Sequence, residues 1–459
     1  MLAGLALLCI SGAAVVAQNP NLTLTPAEQA QLQEQKQALF QQMLNNPANL
    51  DVAFSYADVS ARLGDNEAAV AALERMLLFN PNLPRVDLEL GVLYFRMGSF
   101  EVARTYFQKA LAANPPDEVK NRVNQYLGEI QTQAAPQRFT GFIFSGIQYQ
   151  SDANVAPGSS AIIASTPLGP QLLSLGNQFT KKSDENLFLT GSGLYTYDLG
   201  TQNRDVIEVG GTAFINHYFR FKRLDLGLLE LTAGPRFNFP EPATGVKYVT
   251  LKPYAIANEV GLGRNQYFFT YGAGGETTST IFDDLAFRGV FEFRQKNFSD
   301  AADRPLSRGL NGNDKIVSLQ FLKPLPFTSE FTFQFDFLDQ STRFSYYANK
   351  TYAGSAGYRI RFDDPTEYFH FPWEASLFVS RSWSDYQSPD PCCNVSPNLI
   401  SPGTSSRLDR RWRFGLTQSI QIDPNIAIVF QFQRDIVSSN LPLYAYTSNS
   451  VLVGPQIRF

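Results

Sequence analysis

Two hydrophobic rhythms divide this chain. From residue 137 onward apolar and polar side chains alternate with a period of two, the signature of strands with chemically different faces. In EFTFQFDF, Phe331, Phe333, Phe335 and Phe337 share one side, with Thr332, Gln334 and Asp336 between them. A second run sets Tyr352, Gly354, Ala356, Tyr358, Ile360 and Phe362 against Thr351, Ser355, Arg359 and Arg361. A third puts Phe287, Gly289, Phe291 and Phe293 on one face and Arg288, Glu292 and Arg294 on the other. A fourth opposes Trp412, Phe414, Leu416 and Ile420 to Arg411, Arg413, Thr417 and Gln421. The alternation predicts about fourteen strands, starting near residues 139, 186, 206, 224, 249, 266, 286, 315, 330, 350, 373, 411, 426 and 449. That is about 23 residues per strand and connection, enough for a membrane-crossing strand of roughly 9–11 residues plus a loop.

A soluble sandwich also alternates, but this many strands with apolar outer faces fit an antiparallel transmembrane β-barrel. The long polar connections, Ser151–Asp184, Lys296–Asn313 and Ser384–Arg407, are expected at the extracellular end. Tight corners such as Phe221–Asp225 are expected at the periplasmic end. Tyr195, Tyr197, Tyr358 and Trp412 are candidates for the interfacial aromatic belts. In the last segment Val451, Val453, Pro455, Ile457 and Phe459 share one face, as a closing strand requires. Such a strand has to be paired, because hydrocarbon offers no partner to a bare backbone group. Val451, Val453, Ile457 and the terminal Phe459 therefore form a candidate signal for the barrel-assembly machinery.

Before residue 135 the rhythm is helical and repeats. Asn-Pro recurs at Asn46-Pro47, Asn80-Pro81 and Asn114-Pro115, a spacing of 34 residues and the tetratricopeptide period. Arg62 and Arg96, Gly64 and Gly98, Glu67 and Glu101, and Ala69 and Ala103 keep the same register. Leu90, Gly91, Tyr94, Ala103, Phe107, Ala110 and Pro115 occupy the packing positions of such a repeat. An opening helix precedes the array, with Thr25 as cap, Pro26 in the first turn and Glu28 completing a capping box. DEVKNRVNQYLGEIQTQ predicts a polar capping helix after it. About two repeats with flanking helices make a short solenoid, a binding scaffold with a concave groove. Asp51, Phe54 and Asp58 of one repeat and Arg85, Leu88, Val92 and Phe95 of the next are its candidate lining, although Phe54 and Phe95 fit packing positions equally well.

Composition narrows the reading further. A net charge of −4 gives no reason to expect a nucleic-acid partner. The 38 Phe and 20 Tyr exceed the need of an ordinary soluble domain and suit a lipid-facing surface. MLAGLALLCISGAAVVAQNP reads as a signal peptide cut after Ala17, giving three parts: 1–17 signal, 18–135 repeat domain and 136–459 barrel. No Lys or Arg precedes its apolar run, which points to a start further upstream or a shortened chain. Leu8 is too large for lipoprotein cleavage before Cys9. Cys392 and Cys393 fall in a Pro/Ser/Asn-rich loop, as two thiols or a vicinal disulfide. With only His217 and His370 beside them, no metal, cofactor or catalytic site is expected. Nor is there a phosphate-binding loop to power transport with ATP.

The arrangement resembles the surface lipoprotein assembly modifier family over nearly all of the mature chain. YQSDANVAPG (Tyr149 to Gly158) and QRDIVSSNLPLYAYTSNSVLVGPQIRF carry the local similarity. In the latter, Arg434, Ser439, Asn440, Tyr444, Tyr446, Asn449 and Phe459 look like that family's closing hairpin. The resemblance implies a protein of the Gram-negative outer membrane, with its repeats in the periplasm. It also implies that client proteins, surface lipoproteins or secreted carrier proteins, are passed to the cell surface by a monomeric barrel. An exopolysaccharide exporter or a solute porin is the alternative, and the short repeat array favours protein clients. Arg288, Glu292, Arg294, Arg359, Arg361, Arg411 and Arg413 are candidate lumen charges that steer a client, or that hydrate the lumen and pair with acidic neighbours.

Overall fold

A computed structural model describes residues 26–46, 49–133, 136–157, 161–166, 169–174, 176, 180–243, 245–282, 284–389 and 406–459. The chain divides into two compact units, one up to Ala135 and one from Pro136. The proposed signal peptide, Thr25 and the Cys392-Cys393 pair lie outside the described residues.

The first unit is six helices: α1 (Pro26–Asn45), α2 (Leu50–Arg62), α3 (Asn66–Phe79), α4 (Pro84–Arg96), α5 (Phe100–Ala112) and α6 (Asp117–Gln133). α1 stops at the first Asn-Pro and α6 spans the expected capping helix. Asn49 starts α2 by accepting from the Asp51 and Val52 amides at 3.1 and 3.2 Å. Asp65 starts α3 by accepting from the Ala68 amide at 3.1 Å. The register pair Gly64 and Gly98 sits at positive φ, 81° and 73°, just after α2 and α4, where a side chain would strain the turn. At Gly91 a β-carbon would lie 2.6 Å from the Phe107 ring, so the small residue lets α4 and α5 close on one another. Ala69, Leu73, Leu90, Ala103 and Phe107 are fully or almost fully buried in the resulting core.

The second unit is a closed antiparallel barrel of fourteen strands. β1 (Gln137–Gln150) is followed by a small hairpin, β2 (Ala161–Thr166) with β3 (Gly169–Ser174), that forms its own sheet. The wall continues with β4 (Asp184–Asp198), β5 (Val206–Tyr218), β6 (Leu226–Ala243), β7 (Val246–Leu262), β8 (Asn265–Ile281) and β9 (Leu285–Phe298). It is completed by β10 (Gly312–Leu325), β11 (Ser329–Thr342), β12 (Asn349–Phe362), β13 (Trp373–Pro389), β14 (Ser406–Asp423), β15 (Ile426–Ser439) and β16 (Tyr446–Arg458). Every strand start read from the alternation falls within five residues of the observed one, the largest offset being 411 against Ser406. The strands are longer than expected, 13 to 18 residues, because pairing continues beyond the part that meets hydrocarbon.

One expectation fails. Strand order places the Phe221–Asp225 corner at the same end as the long loops, since Asp184 and Tyr218 head neighbouring strand ends there. The three long connections do share one end, but a short connection does not by itself mark the other. The short connection is held instead by the buried Asp184 carboxylate, which accepts from the Arg220 and Phe221 amides at 3.1 and 2.9 Å. The chain enters β1 and leaves β16 at the opposite end, called here the terminus end.

Candidate functional site

The lumen is built by alternation. On β9 Arg288, Glu292 and Arg294 point inward while Phe291 and Phe293 are exposed on the outer face. Arg359 and Arg361 of β12 and Arg411 and Arg413 of β14 alternate in the same way with exposed Tyr358, Phe362, Trp412 and Phe414. All seven lumen charges read from the sequence thus face inward, and each is paired. Apart from Glu292, the acidic partners and several bases were missed. They are single polar residues inside runs such as VIEVGGTAFIN, where one Glu does not disturb an apolar reading.

On the wall from β5 to β10 these charges form ladders that skip strands. Lys252 and Arg236 each hold Glu208, at 2.7 and 2.8 Å. Arg236 also reaches Glu276 at 3.2 Å, and Arg288 closes on Glu276 at 2.7 Å. Nearer the long-loop end, Arg294 bridges Glu292 at 2.7 Å and Glu230 at 3.0 Å, although β7 and β8 separate β6 from β9. Inward-facing glycines make that reach possible. The Tyr254 phenol lies across Gly274, whose β-carbon would come within 2.6 Å of the ring, and donates to Glu292 at 2.5 Å. Lys296 and Asp314 add a pair at 2.7 Å. On the other walls Arg359 pairs with Glu330, Arg361 with Glu374 at 3.0 Å, and Arg411 and Arg413 share Asp435 at 2.6 and 3.0 Å.

The wall beside the β1–β16 junction is different. Its inner face carries Phe144, Phe188, Val429 and Leu452, a buried apolar cluster extended by Phe142 and Phe214. The junction itself is interrupted. Phe142–Phe144 pair with Arg458–Gln456, and pairing resumes at Ile147 with Val453, so Ser145–Pro455 and Gly146–Gly454 drop out without a change of register. The Gly141 and Phe459 amides and carbonyls exchange both hydrogen bonds, at 2.8 and 3.0 Å. Alternation along the ladder then makes Ser145–Pro455 a hydrogen-bonding position, and Pro455 has no N–H to give. Val451, Val453, Ile457 and Phe459 are exposed on the outer face of this strand, as the alternation predicts, and Phe459 stacks on Phe139 at 5.4 Å between centroids.

The outer surface carries two aromatic belts. Tyr195, Tyr197 and Tyr358 are exposed toward the terminus end, and Trp412 toward the other. Trp373 and Trp383 bracket the lipid face of β13: ten residues rise about 33 Å along a strand. At a tilt of about 40° that gives about 25 Å of height, the apolar band of such barrels.

In the repeat unit the groove contracts. Val92 is buried among Phe107, Val123 and Ile130 and lines nothing, a correction to the sequence reading. Leu88 and Phe95 pack against the same cluster, and Phe95 meets Tyr126 of α6 edge-on at 5.2 Å, so the capping helix covers this apolar stretch. Asp51, Asp58 and Arg85 remain exposed, and Arg85 stacks over Phe54 at 4.6 Å. A hollow of about 550 Å³ beside α1 is lined by Lys36, Gln37, Phe40 and Tyr56, which the repeat positions could not indicate. Glu74 accepts from Tyr94 at 2.6 Å and from Tyr106 at 3.3 Å, and it pushes the Tyr94 phenol up to about 12.

His217 bonds Asp225 at 2.6 Å through Nδ1 and Lys222 at 2.7 Å through Nε2, on the exposed rim of β5. Among the described residues no cluster of His, Cys, Asp or Glu is placed to hold a metal ion.

Comparison with known proteins bears on the repeats. The tetratricopeptide repeat family matches residues 59–128. No curated protein matches the chain. Solved structures similar to it include the Yersinia enterocolitica type III secretion chaperone SycD in complex with a peptide of the translocator YopD. That match has 14% identity and a TM-score of 0.22, covering 24% of this chain and 86% of that one. A tetratricopeptide repeat protein from Parabacteroides merdae matches at 20% identity and a TM-score of 0.22, over 23% of this chain and 42% of that one. PcrH, in complex with the chaperone-binding region of PopD, matches at 16% identity and a TM-score of 0.22, covering 23% of this chain and 82% of that one. This chain therefore joins tetratricopeptide repeats to a closed fourteen-strand transmembrane β-barrel.

Proposed function

We propose that the protein is an outer-membrane translocator that moves client proteins carrying an apolar or lipid-modified segment to the cell surface. In this reading the repeats face the periplasm as the client receptor, and the barrel acts as a monomer without catalysis or cofactor. The observation that carries the reading is the coincidence of two features at one place: the apolar inner wall of Phe144, Phe188, Val429 and Leu452, and the interrupted β1–β16 ladder at Pro455. An acyl chain leaving a polar lumen needs an apolar path and a lateral exit, because hydrocarbon in water costs about 0.8 kcal/mol per methylene. Here the path and the weakest wall adjoin. Arg294 and its neighbours, already paired with one another, hold the wall from β5 to β10 rather than the client.

Antibody labelling of candidate client lipoproteins on intact cells tests the proposal. Surface signal is expected with the full-length protein and is lost without it or when residues 18–135 are deleted. Unchanged display, together with steady conductance in planar bilayers, would favour the alternative of a glycan or solute pore.

A further inference from the structure

Most inward arginines of the barrel, Arg294 and Arg413 among them, sit against carboxylates, but three outward ones do not. Arg381 on β13 and Arg410 on β14 form a checkerboard with tryptophans: Arg381 is directly opposite Trp412, and Trp383 directly opposite Arg410. The Arg381 guanidinium stacks between both indoles, 4.8 Å from the Trp383 centroid and 4.6 Å from that of Trp412. Its Nε is buried without a hydrogen-bond partner. On β15 Arg434, opposite Phe414, is exposed on the same outer face. Among the described residues none of the three has a carboxylate within ion-pair distance. At the terminus end the exposed Lys323, by contrast, is paired with Asp284.

An arginine on the lipid face is costly in the hydrocarbon and nearly neutral at the interface. These three stand at the belt of the long-loop end, where headgroups begin, and Arg381 is held there by two aromatic faces. We infer that the outer face of β13–β15 is a binding site for a phosphorylated glycolipid of the leaflet at that end, with Arg381, Arg410 and Arg434 donating to its phosphates. Guanidinium groups suit this chemistry because their planar forks hold phosphate oxygens in pairs. Trp383 and Trp412 orient Arg381 and offer flat surfaces to sugar rings. The inference rests on the proposed orientation, which puts that end in the outer leaflet.

The test is native mass spectrometry of the full-length protein in detergent with bisphosphorylated lipid A, dephosphorylated lipid A or phosphatidylglycerol. The wild type should retain the bisphosphorylated form. Arg381→Ala/Arg410→Ala/Arg434→Ala should retain at least about tenfold less, the loss of one or more charge-assisted hydrogen bonds. Trp383→Leu/Trp412→Leu should lose about threefold. Heat-modifiable migration on gels verifies that each variant barrel is folded. Equal retention by the triple variant, or of the dephosphorylated lipid, would overturn the site, and equal retention of phosphatidylglycerol would overturn the glycolipid as its ligand. Labelling an Arg264→Cys variant in intact cells, with Cys392 and Cys393 replaced by Ser, reads the orientation separately. Failure to label would remove the leaflet assignment while leaving the binding result to stand on its own.

Discussion

Two walls of the barrel are built on contrary principles. From β5 to β10 the inner face is ionic, and its side chains reach over intervening strands, so that Glu230, Tyr254, Glu292 and Arg294 bind β6, β7 and β9 into one patch across β8. Around β1 and β16 the inner face carries an apolar cluster, no ion pair among the described residues ties β1 to β4 or to β16, and Pro455 removes a rung of the ladder. Backbone pairing alone makes a barrel. Side-chain ladders decide which parts of it cannot part. The difference locates rigidity on one side and an available opening on the other, which a uniform wall would not provide.

Breaking the ladder should have the largest effect. Arg294→Met leaves Glu230 and Glu292 facing one another with no cation between them. Removing one member of a buried network costs about 3–5 kcal/mol. The temperature at which the barrel loses its heat-modifiable gel shift should fall accordingly. Adding Glu230→Gln and Glu292→Gln should recover most of that loss. An Arg294→Met barrel as heat-resistant as the wild type would mean the ladder contributes nothing to rigidity.

Locking the seam should instead spare stability and stop transport. Gln148 and Leu452 are direct partners on the inner face. A disulfide between Gln148→Cys and Leu452→Cys is expected to lower surface display of a client more than tenfold, with recovery on reduction. The same lock at Gln320 and Gln334, partners on β10 and β11, should leave display unchanged. Equal inhibition at both positions would show that any cross-link impedes the barrel and that the seam has no special part.

Restoring the missing rung is a milder change. Pro455→Ala returns an N–H opposite the Ser145 carbonyl, and one backbone hydrogen bond is worth about 1 kcal/mol. Heat resistance should rise slightly and display should fall. Gly454 must not be touched in the same experiment: a β-carbon there would sit 1.8 Å from the Ser145 carbonyl oxygen and force the strands apart. Gly354→Ala, with nothing within 4 Å, serves as the neutral control.

How far these contrasts could be read from sequence follows from what each depends on. The strand count, the inward face of Arg288, Arg294, Arg359 and Arg413, and the outward face of Val451 to Phe459 need only a period of two. The 34-residue Asn-Pro spacing likewise exposed the repeats. Partners are another matter. That Arg294 meets Glu230 depends on shear and on Gly272 and Gly274 facing inward, a relation between strands that no single segment contains. The end at which the Phe221–Asp225 corner lies depends on counting strands, not on loop length. Val92 was misplaced because the angle at which α6 docks decides whether a groove position stays open.

The smallest expected effect concerns the same pairing chemistry in the solvated repeat unit. Lys36 bonds Asp65, and the hydrogen bond from Lys36 together with that of the Ala68 amide holds the Asp65 carboxyl below its ordinary value. A depressed carboxyl stabilises the fold above its unfolded value of 3.8, and the contribution is lost as pH falls through the lower folded value. Because the pair is partly exposed, its worth is below about 1 kcal/mol and is screened by salt. Asp65→Asn keeps the helix cap and removes only the charge. Thermal melts of the full-length protein followed by helical circular dichroism should show a slightly lower helix melting temperature for Asp65→Asn at pH 6 in low salt. The two should converge near pH 2 and in molar salt. An equal gap at both pH values would assign the effect to cap geometry, and the contrast between a solvated pair and the buried ladder at Arg294 would then have to be drawn from the barrel alone.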